Sequence, residues 1–391
     1  MIKNLIKKSN KIEKGSLLPQ LHLWSSENLY FHGSDYFNDL IHNINNAKNS
    51  IEIECYIFYQ DDIGKKIITS LINAAKKGVK VRLIIDGYGS MAWNTQQLAE
   101  LTEAGIEVKI FHPLPWRLSL YKRVNITKGY INKFLYLSSR INKRNHRKLY
   151  IVDKQIAWSG SINISDSHLK QNVDDSIWLD CGVKITGESV LELTDNFDEV
   201  WKRNIPYTIE NNHLPFRTNN NIIRRKYKNN ELIHLIDSCK HKIWIISAYL
   251  APSRRIVNAL KRARSNGTDV KLIISHHSDV IFFPLISTTY YAELIRAGIE
   301  IYEHRKYIIH AKTIILDDIS FVGSSNLNHR SFLHDLELDI ILTHAASIEK
   351  LNNKFIDLSN DSDIISQSKL KSLPWYYRML GKIIWRIRYW L

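Results

Sequence analysis

The chain has 391 residues, 44% hydrophobic and 24% charged, with 54 Lys and Arg against 39 Asp and Glu for a formal net charge of +15. That length suffices for one large or two ordinary domains, and the apolar content excludes a disordered chain. Cys55, Cys181 and Cys239 are odd in number, far apart and in no short metal-ligand spacing, which argues against a disulfide scaffold or a zinc knuckle and fits a reducing compartment.

The surplus of positive charge suits nucleic acid, anionic lipid or a phosphorylated substrate. Met1 to Lys14 is basic but has no long apolar run with a small-residue cleavage site, so no secretory signal is expected there. No segment offers the roughly 20 uninterrupted apolar residues of a spanning helix, and a soluble or surface-bound protein is expected. Ile51 to Tyr59 reads as a buried strand, Ile63 to Lys77 as a helix closed by Gly78, Val79 to Asp86 as a strand, Gln96 to Ala104 as a helix closed by Gly105, and Ile106 to Phe111 as a strand. The order recurs in strand Ile243 to Tyr249, helix Arg254 to Ser265 with Gly267 beyond it, strand Val270 to Ser275, helix Tyr290 to Ala297 closed by Gly298, and strand Ile299 to His304. Alternation of this kind predicts two α/β units, and the echo of AGIEVKIF in AGIEIYEH marks an internal repeat.

The repeats differ in one place. Gly105 lies 41 positions before His146, whereas Gly298 lies 12 before His310, so the first unit carries about 29 additional residues. Residues 112–145 contain Arg117, Lys122, Arg123, Lys128, Lys133, Arg140, Lys143 and Arg144 and no acid, interleaved with Trp116, Tyr121, Tyr130, Phe134 and Tyr136. Such an insertion suits anionic headgroups, with an ordinary solvated loop as the alternative. Ile205 to Asn221, rich in Asn and Pro, reads as a linker, dividing the chain into a first unit at 1–210, a second at 211–372 and a terminal segment at 373–391. In that last segment Arg378, Lys382 and Arg386 fall on one helical stripe among Trp375, Tyr376, Tyr377, Trp385, Tyr389 and Trp390. This pattern fits an interfacial helix on anionic lipid, the alternative being a helix docked on the protein itself.

The chemical signal stands at matching places in both repeats. His146-Arg147-Lys148 is followed by Asp153 and then Gly160-Ser161-Ile162-Asn163; His310-Ala311-Lys312 is followed by Asp317 and then Gly323-Ser324-Ser325-Asn326. On a strand, His and Lys two apart share a face, so one imidazole and one ammonium per repeat can converge on one ligand. Phosphodiester transfer fits that set: one imidazole attacks phosphorus, the other protonates the leaving oxygen, and Lys148, Lys312, Ser161, Asn163, Ser324 and Asn326 bind the phosphate oxygens. No metal or other cofactor is called for. Asp174 and Glu337, each 11 residues after its motif Asn, are candidates to orient the histidines, Asp174 ahead of Asp175 on the equal offset. Asp153 and Asp317 complete the motif and are counted among the catalytic candidates, with a structural role at the strand end as the competing reading. His276, His277 and Asp279 look like metal ligands but read better as a rim cluster.

The duplicated motif resembles that of the phospholipase D superfamily, and its flanking pieces, Ile85-Asp86-Gly87-Tyr88-Gly89-Ser90, Ser247 to Pro252 and Val322 to Glu337, resemble bacterial cardiolipin synthases of the phospholipase D type. The resemblance covers nearly all of Ile51 to Ile341. It implies an α/β fold of two similar phospholipase D-like units with pseudo-twofold symmetry around one shared active site. It further implies that His146 attacks phosphatidylglycerol, releasing glycerol and leaving a phosphatidyl-histidine, and that His310 is general acid and then base toward a second phosphatidylglycerol, although near symmetry leaves the two roles exchangeable. The implied partners are phosphatidylglycerol and anionic membrane lipid, at the cytoplasmic face of a bacterial membrane and without nucleic acid. Phospholipid hydrolysis to phosphatidic acid is the alternative activity, a nuclease of the same superfamily is a weaker one, and a secreted effector is the alternative location. Asp317 precedes Gly323 by six positions and Asp153 precedes Gly160 by seven, which predicts a turn shorter by one residue in the second unit.

Overall fold

The computed structural model describes residues 24–123, 129–169, 178–203, 214–280, 283–372 and residue 383. The terminal amphipathic segment, apart from Ile383, and Asp174 lie outside these residues.

Each repeat builds one large sheet, and strand order is the same in both. The first runs Glu107–Phe111, Lys80–Asp86, Ser50–Cys55, Leu149–Val152, Ile156–Gly160, Gly182–Thr186 and Ser26–Tyr30. The second runs Glu300–His304, Asp269–Ser275, Lys242–Ser247, Thr313–Leu316, Ile319–Gly323, Leu338–Leu342 and Phe216–Thr218, with Ser362–Ile364 added at its first edge. In both sheets the first three strands are parallel, joined through helices, and the next three are antiparallel. The two α/β units expected from the repeat are present. Part of the expected linker is structured instead: Phe216–Thr218 pairs with Leu338–Leu342, because an antiparallel edge strand gives that sheet's open edge its hydrogen bonds.

The sheets pack face to face. Leu149, Ile151, Ala157, Val183 and Ile185 share one buried cluster with Ile315, Val322, Leu338, Ile340 and Leu342 of the other unit. Helices Gly33–Asn46, Asp62–Lys76 and Thr95–Glu103 cover the first sheet's outer face, and Ile222–Ser238, Arg254–Ser265 and Phe283–Arg296 cover the second's. Burial on both faces explains why the central strands read as near-continuous apolar runs. Strand Ser50–Cys55 is the exception, and its alternation sorts its neighbours: Ile51 and Ile53 join the outer cluster, whereas buried Glu52 and Glu54 bind Arg82 at 3.1 Å and the Asn145 amide at 2.5 Å.

Asp153 and Asp317 close the hairpins that follow the His-x-Lys segments, each in a left-handed conformation, at φ 51° and 48°. Val152 pairs with Ile156 and Leu316 with Ile319, so the second loop is one residue shorter, as the motif spacing predicted. Each carboxylate accepts from three consecutive backbone N–H groups: Lys48, Asn49 and Ser50 for Asp153, and Lys240, His241 and Lys242 for Asp317. These aspartates sit across a four-residue strand from their histidines, about 23 Å along an extended chain at 3.3 Å per residue. The catalytic candidacy of Asp153 and Asp317 is therefore corrected: they are straps that fix the loop entering the sheet's central parallel strand.

Asp317→Ala should accordingly lower stability by about 1–3 kcal/mol, the cost of leaving several N–H groups without their charged acceptor. Thermal denaturation should show a Tm lower by a few degrees, with turnover per folded molecule unchanged; a loss of turnover at constant Tm would count against the strap.

Candidate active site

His146 and Lys148 lie in the extended stretch entering strand Leu149–Val152, and His310 and Lys312 in the stretch entering Thr313–Leu316. Extended backbone turns Arg147 the opposite way, where it meets Asn196 at 2.7 Å, Asn220 at 3.2 Å and Glu54 at 3.4 Å. Both stretches are anchored on the other unit. His146 N–H donates to Leu336 O at 3.0 Å and His310 N–H to Leu179 O at 2.8 Å, and the short strand Ile308–Ile309 pairs with Trp178–Leu179.

The carboxylates follow the same exchange. Glu337, next to Leu336, accepts from His146 Nδ1 at 3.2 Å; Asp180, next to Leu179, accepts from His310 Nδ1 at 2.7 Å. Each acid from one unit holds the imidazole of the other. Nδ1 of each ring carries the hydrogen toward its carboxylate, which leaves Nε2 for chemistry. Tyr56 meets the His146 ring edge-on at 4.8 Å between centroids, and Trp178 lies tilted against His310 at 4.9 Å.

The orienting acid of the first unit was missed in the sequence. Ser161 donates to Asp180 at 2.7 Å and Ser324 donates to Glu337, so Asp180 and Glu337 are structural equivalents, 19 and 13 residues beyond their serines. An equal offset pointed to Asp174 because it assumed no length change in that loop, and the loop is six residues longer. The serines differ from expectation as well. Ser161 and Ser324 are fully buried and their hydroxyls are committed to the carboxylates, so they brace the acids instead of facing a phosphate. Asn163 Oδ1 accepts from Ile57 N–H at 3.4 Å, which leaves its amide nitrogen as a donor, and Asn326 Oδ1 is buried without a hydrogen-bond partner among the described residues.

Two lysines share the centre. Lys148 Nζ donates to His146 O at 2.7 Å and Lys312 Nζ to His310 O at 2.6 Å. Burial pulls Lys148 down to about 8 and Lys312 down to about 7, Lys312 also being lowered by the charge of Lys148. Burial, and then the two lysines, hold His146 well below the usual imidazole range; burial and Lys312 lower His310 against the opposing pull of Asp180. The resting site thus has neutral imidazoles beside two lysines whose burial outweighs the support of Glu337 and Asp180. An anionic phosphate would complete it.

A second ring of buried charge fixes this stretch. Asp86 accepts from Asn145 N–H at 2.8 Å and from Tyr88 and Gly89 N–H at 2.8 and 3.0 Å, with Arg144 at 3.6 Å. His276 pairs with Glu303 at 3.0 Å and Asp279 accepts from Tyr249 OH at 2.5 Å, in keeping with a rim cluster.

The protein family described as "Cardiolipin synthase, PLD-like domain" matches residues 40–201 and 232–359, one stretch per unit. A cardiolipin synthase of Clostridium perfringens is 32% identical over 346 residues, covering 84% of this chain and 69% of the relative, and one of Alkalihalophilus pseudofirmus is 29% identical over 363 residues, covering 89% and 69%. Among solved structures, phosphatidylserine synthase of Haemophilus influenzae superposes with a TM-score of 0.65 at 15% identity over 99% of this chain and 97% of its own. Polyphosphate kinase of Porphyromonas gingivalis gives 0.59 at 11% over 89% and 52%, and both likenesses are of fold. With the motif duplicated, the sheets repeated and the histidines convergent, this chain belongs to the phospholipase D-like family of cardiolipin synthases and is a phosphatidyltransferase enzyme.

Proposed function

We propose that the protein makes cardiolipin by phosphatidyl transfer between two phosphatidylglycerol molecules. The observation that carries this reading is the pair of carboxylate-held imidazoles whose Nε2 atoms are left for chemistry beside two buried lysines. In the first half-reaction the bound phosphate anion favours uptake of a proton from water at His310 Nε2, giving an imidazolium, and His146 Nε2 attacks phosphorus; the P–N bond forms as the P–O bond to the leaving glycerol breaks, and His310 Nε2–H gives that oxygen its proton. In the second, His310 Nε2 takes the proton of the acceptor hydroxyl, the new P–O bond forms and P–N breaks. Lys148, Lys312 and the amide of Asn163 would hold the non-bridging oxygens as charge builds on them.

Purified protein and phosphatidylglycerol vesicles without added metal should yield cardiolipin and glycerol by mass spectrometry, and His146→Ala and His310→Ala should yield neither. Phosphatidic acid as the sole lipid product would move the assignment to hydrolysis. Since Lys312 and Lys148 lose their protons near about 7 and about 8, kcat/KM should fall as pH rises through that range, the free enzyme then losing its phosphate-binding charge. Bound substrate opposes the deprotonation, so the alkaline limb of kcat should lie at higher pH; an alkaline limb common to both would contradict this.

The substrate lies in a membrane, and the first-unit insertion suits its surface. Trp116, Leu118, Tyr130, Ile131, Phe134 and Leu135 are exposed, and in helix Tyr130–Ser138 only Leu137 is buried. Among the described residues no helix is long and apolar enough to cross a bilayer. With no acid in 112–145, we assign this face to anionic lipid, aromatics at the interface and cations on phosphates. Ile131→Asp with Phe134→Asp should release the protein from phosphatidylglycerol vesicles in a sedimentation assay and lower vesicle turnover, while cleavage of a water-soluble short-chain diester stays within about twofold, as surface changes leave the fold intact.

A further inference from the structure

One buried titratable group has no part in the mechanism above. His168, in the short helical turn Asp166–His168, donates Nδ1–H to Asp180 Oδ2 at 2.6 Å while Asp180 Oδ1 takes the hydrogen of His310 Nδ1 at 2.7 Å. One carboxylate thus bridges two imidazoles, whose rings lie 5.7 Å apart, with Trp178 edge-on against His168 at 5.1 Å.

The other unit solves the same problem differently. His168 stands five residues after Asn163, and Ser331 five after Asn326. Ser331 donates to Glu337 Oε1 at 2.5 Å, the oxygen that does not face His146. Side-chain lengths compensate: the longer acid is met by the shorter donor and the shorter acid by the longer one. A serine at 168 could not reach Asp180 as Ser331 reaches Glu337. The electrostatics differ too. Burial raises Glu337 despite Lys148 and its hydroxyl donors, whereas the two imidazoles hold Asp180 well below the usual carboxyl range against its burial. Across from His168, the charged or titratable groups are Asp180, His310 and, beyond them, Lys312; Tyr36 and Tyr249 also feel the Asp180 charge.

We propose that His168 is a positioning residue for His310: by holding Asp180 from the far side it fixes the ring and tautomer of the proton-transferring imidazole. This deepens the proposed reaction, and rests on that reading for the role given to His310. His168 does not touch the reacting phosphorus. It keeps the Asp180 carboxylate in the plane that His310 needs and shares its negative charge, so a proton arriving at His310 Nε2 is held less tightly and is more readily passed on.

Two variants of the full chain test this. His168→Ser removes the reach, and His168→Asn keeps an N–H for Asp180 without an imidazole. Histidine-selective nitrogen NMR, recorded without substrate, reads the His310 tautomer, assigned by its loss in His310→Asn; kcat and KM are measured with phosphatidylglycerol vesicles and with a chromogenic phosphodiester. The expected result is a single Nδ1–H tautomer of His310 in the wild type, mixed tautomers in His168→Ser, and a kcat lower by roughly 10- to 100-fold with little change in KM. His168→Asn should restore the tautomer and most of kcat. Wild-type tautomer and kcat in His168→Ser would overturn the proposal. If that variant does not fold, His168→Ala is measured in its place, and a wild-type tautomer and kcat there would do so. A wild type inactive on every diester would sink the proposed reaction, while the tautomer comparison would still decide the role of His168.

Discussion

The site depends on one exchange: each unit lends a carboxylate to the imidazole of the other. Glu337 reaches His146 and Asp180 reaches His310, and in both cases the residue just before the acid accepts the backbone N–H of that same histidine. Orientation of each ring is therefore set by bonds that cross the unit boundary, Ser324 O at 3.1 Å being a further acceptor for His146 Nδ1. The stacked apolar faces hold the sheets at a fixed separation and so keep those bonds in reach. A sheet on its own would have its histidine and lysine but not the acid that settles the tautomer.

The charge arrangement follows from the same geometry. Two ammonium groups and two imidazoles are taken out of water in one place, where each cation disfavours the other. Glu337 and Asp180 favour the charged lysines but do not overcome their burial. A phosphodiester, a compact anion with several acceptor oxygens, suits two such ammonium groups. Burial of the two lysines is costly to the fold, but it is also what gives a bound phosphate its hold.

Much of this was legible in the sequence, for physical reasons that can be named. Helix Arg254–Ser265 stands where apolar periodicity and its terminal Gly placed it, and the unequal hairpins after Val152 and Leu316 follow from counting residues between Asp and Gly. His146, Lys148, His310 and Lys312 were visible because the same spacing occurs twice. Asp180 was not, since its partner His310 is 130 residues away and the loop before it differs in length between repeats. Ser161 and Ser324 looked like phosphate ligands because sequence does not tell which way a buried hydroxyl turns. Glycine in that motif has a steric reason: a side chain at Gly160 would meet Cys181 O, and its φ of 136° suits glycine alone. His168 carried no signal beyond its equal offset with Ser331, a resemblance that becomes meaningful only when both are seen bound to equivalent acids.

The shared core between the sheets also bears on how the chain is born. The ribosome completes strand Gly182–Thr186 well before strands Thr313–Leu316, Ile319–Gly323 and Leu338–Leu342 exist. At about 5–20 residues per second, the first unit waits on the order of 10–30 s with the apolar face of Leu149, Ile151, Val183 and Ile185 bare. The nascent half thus carries an apolar face that the second unit is built to cover.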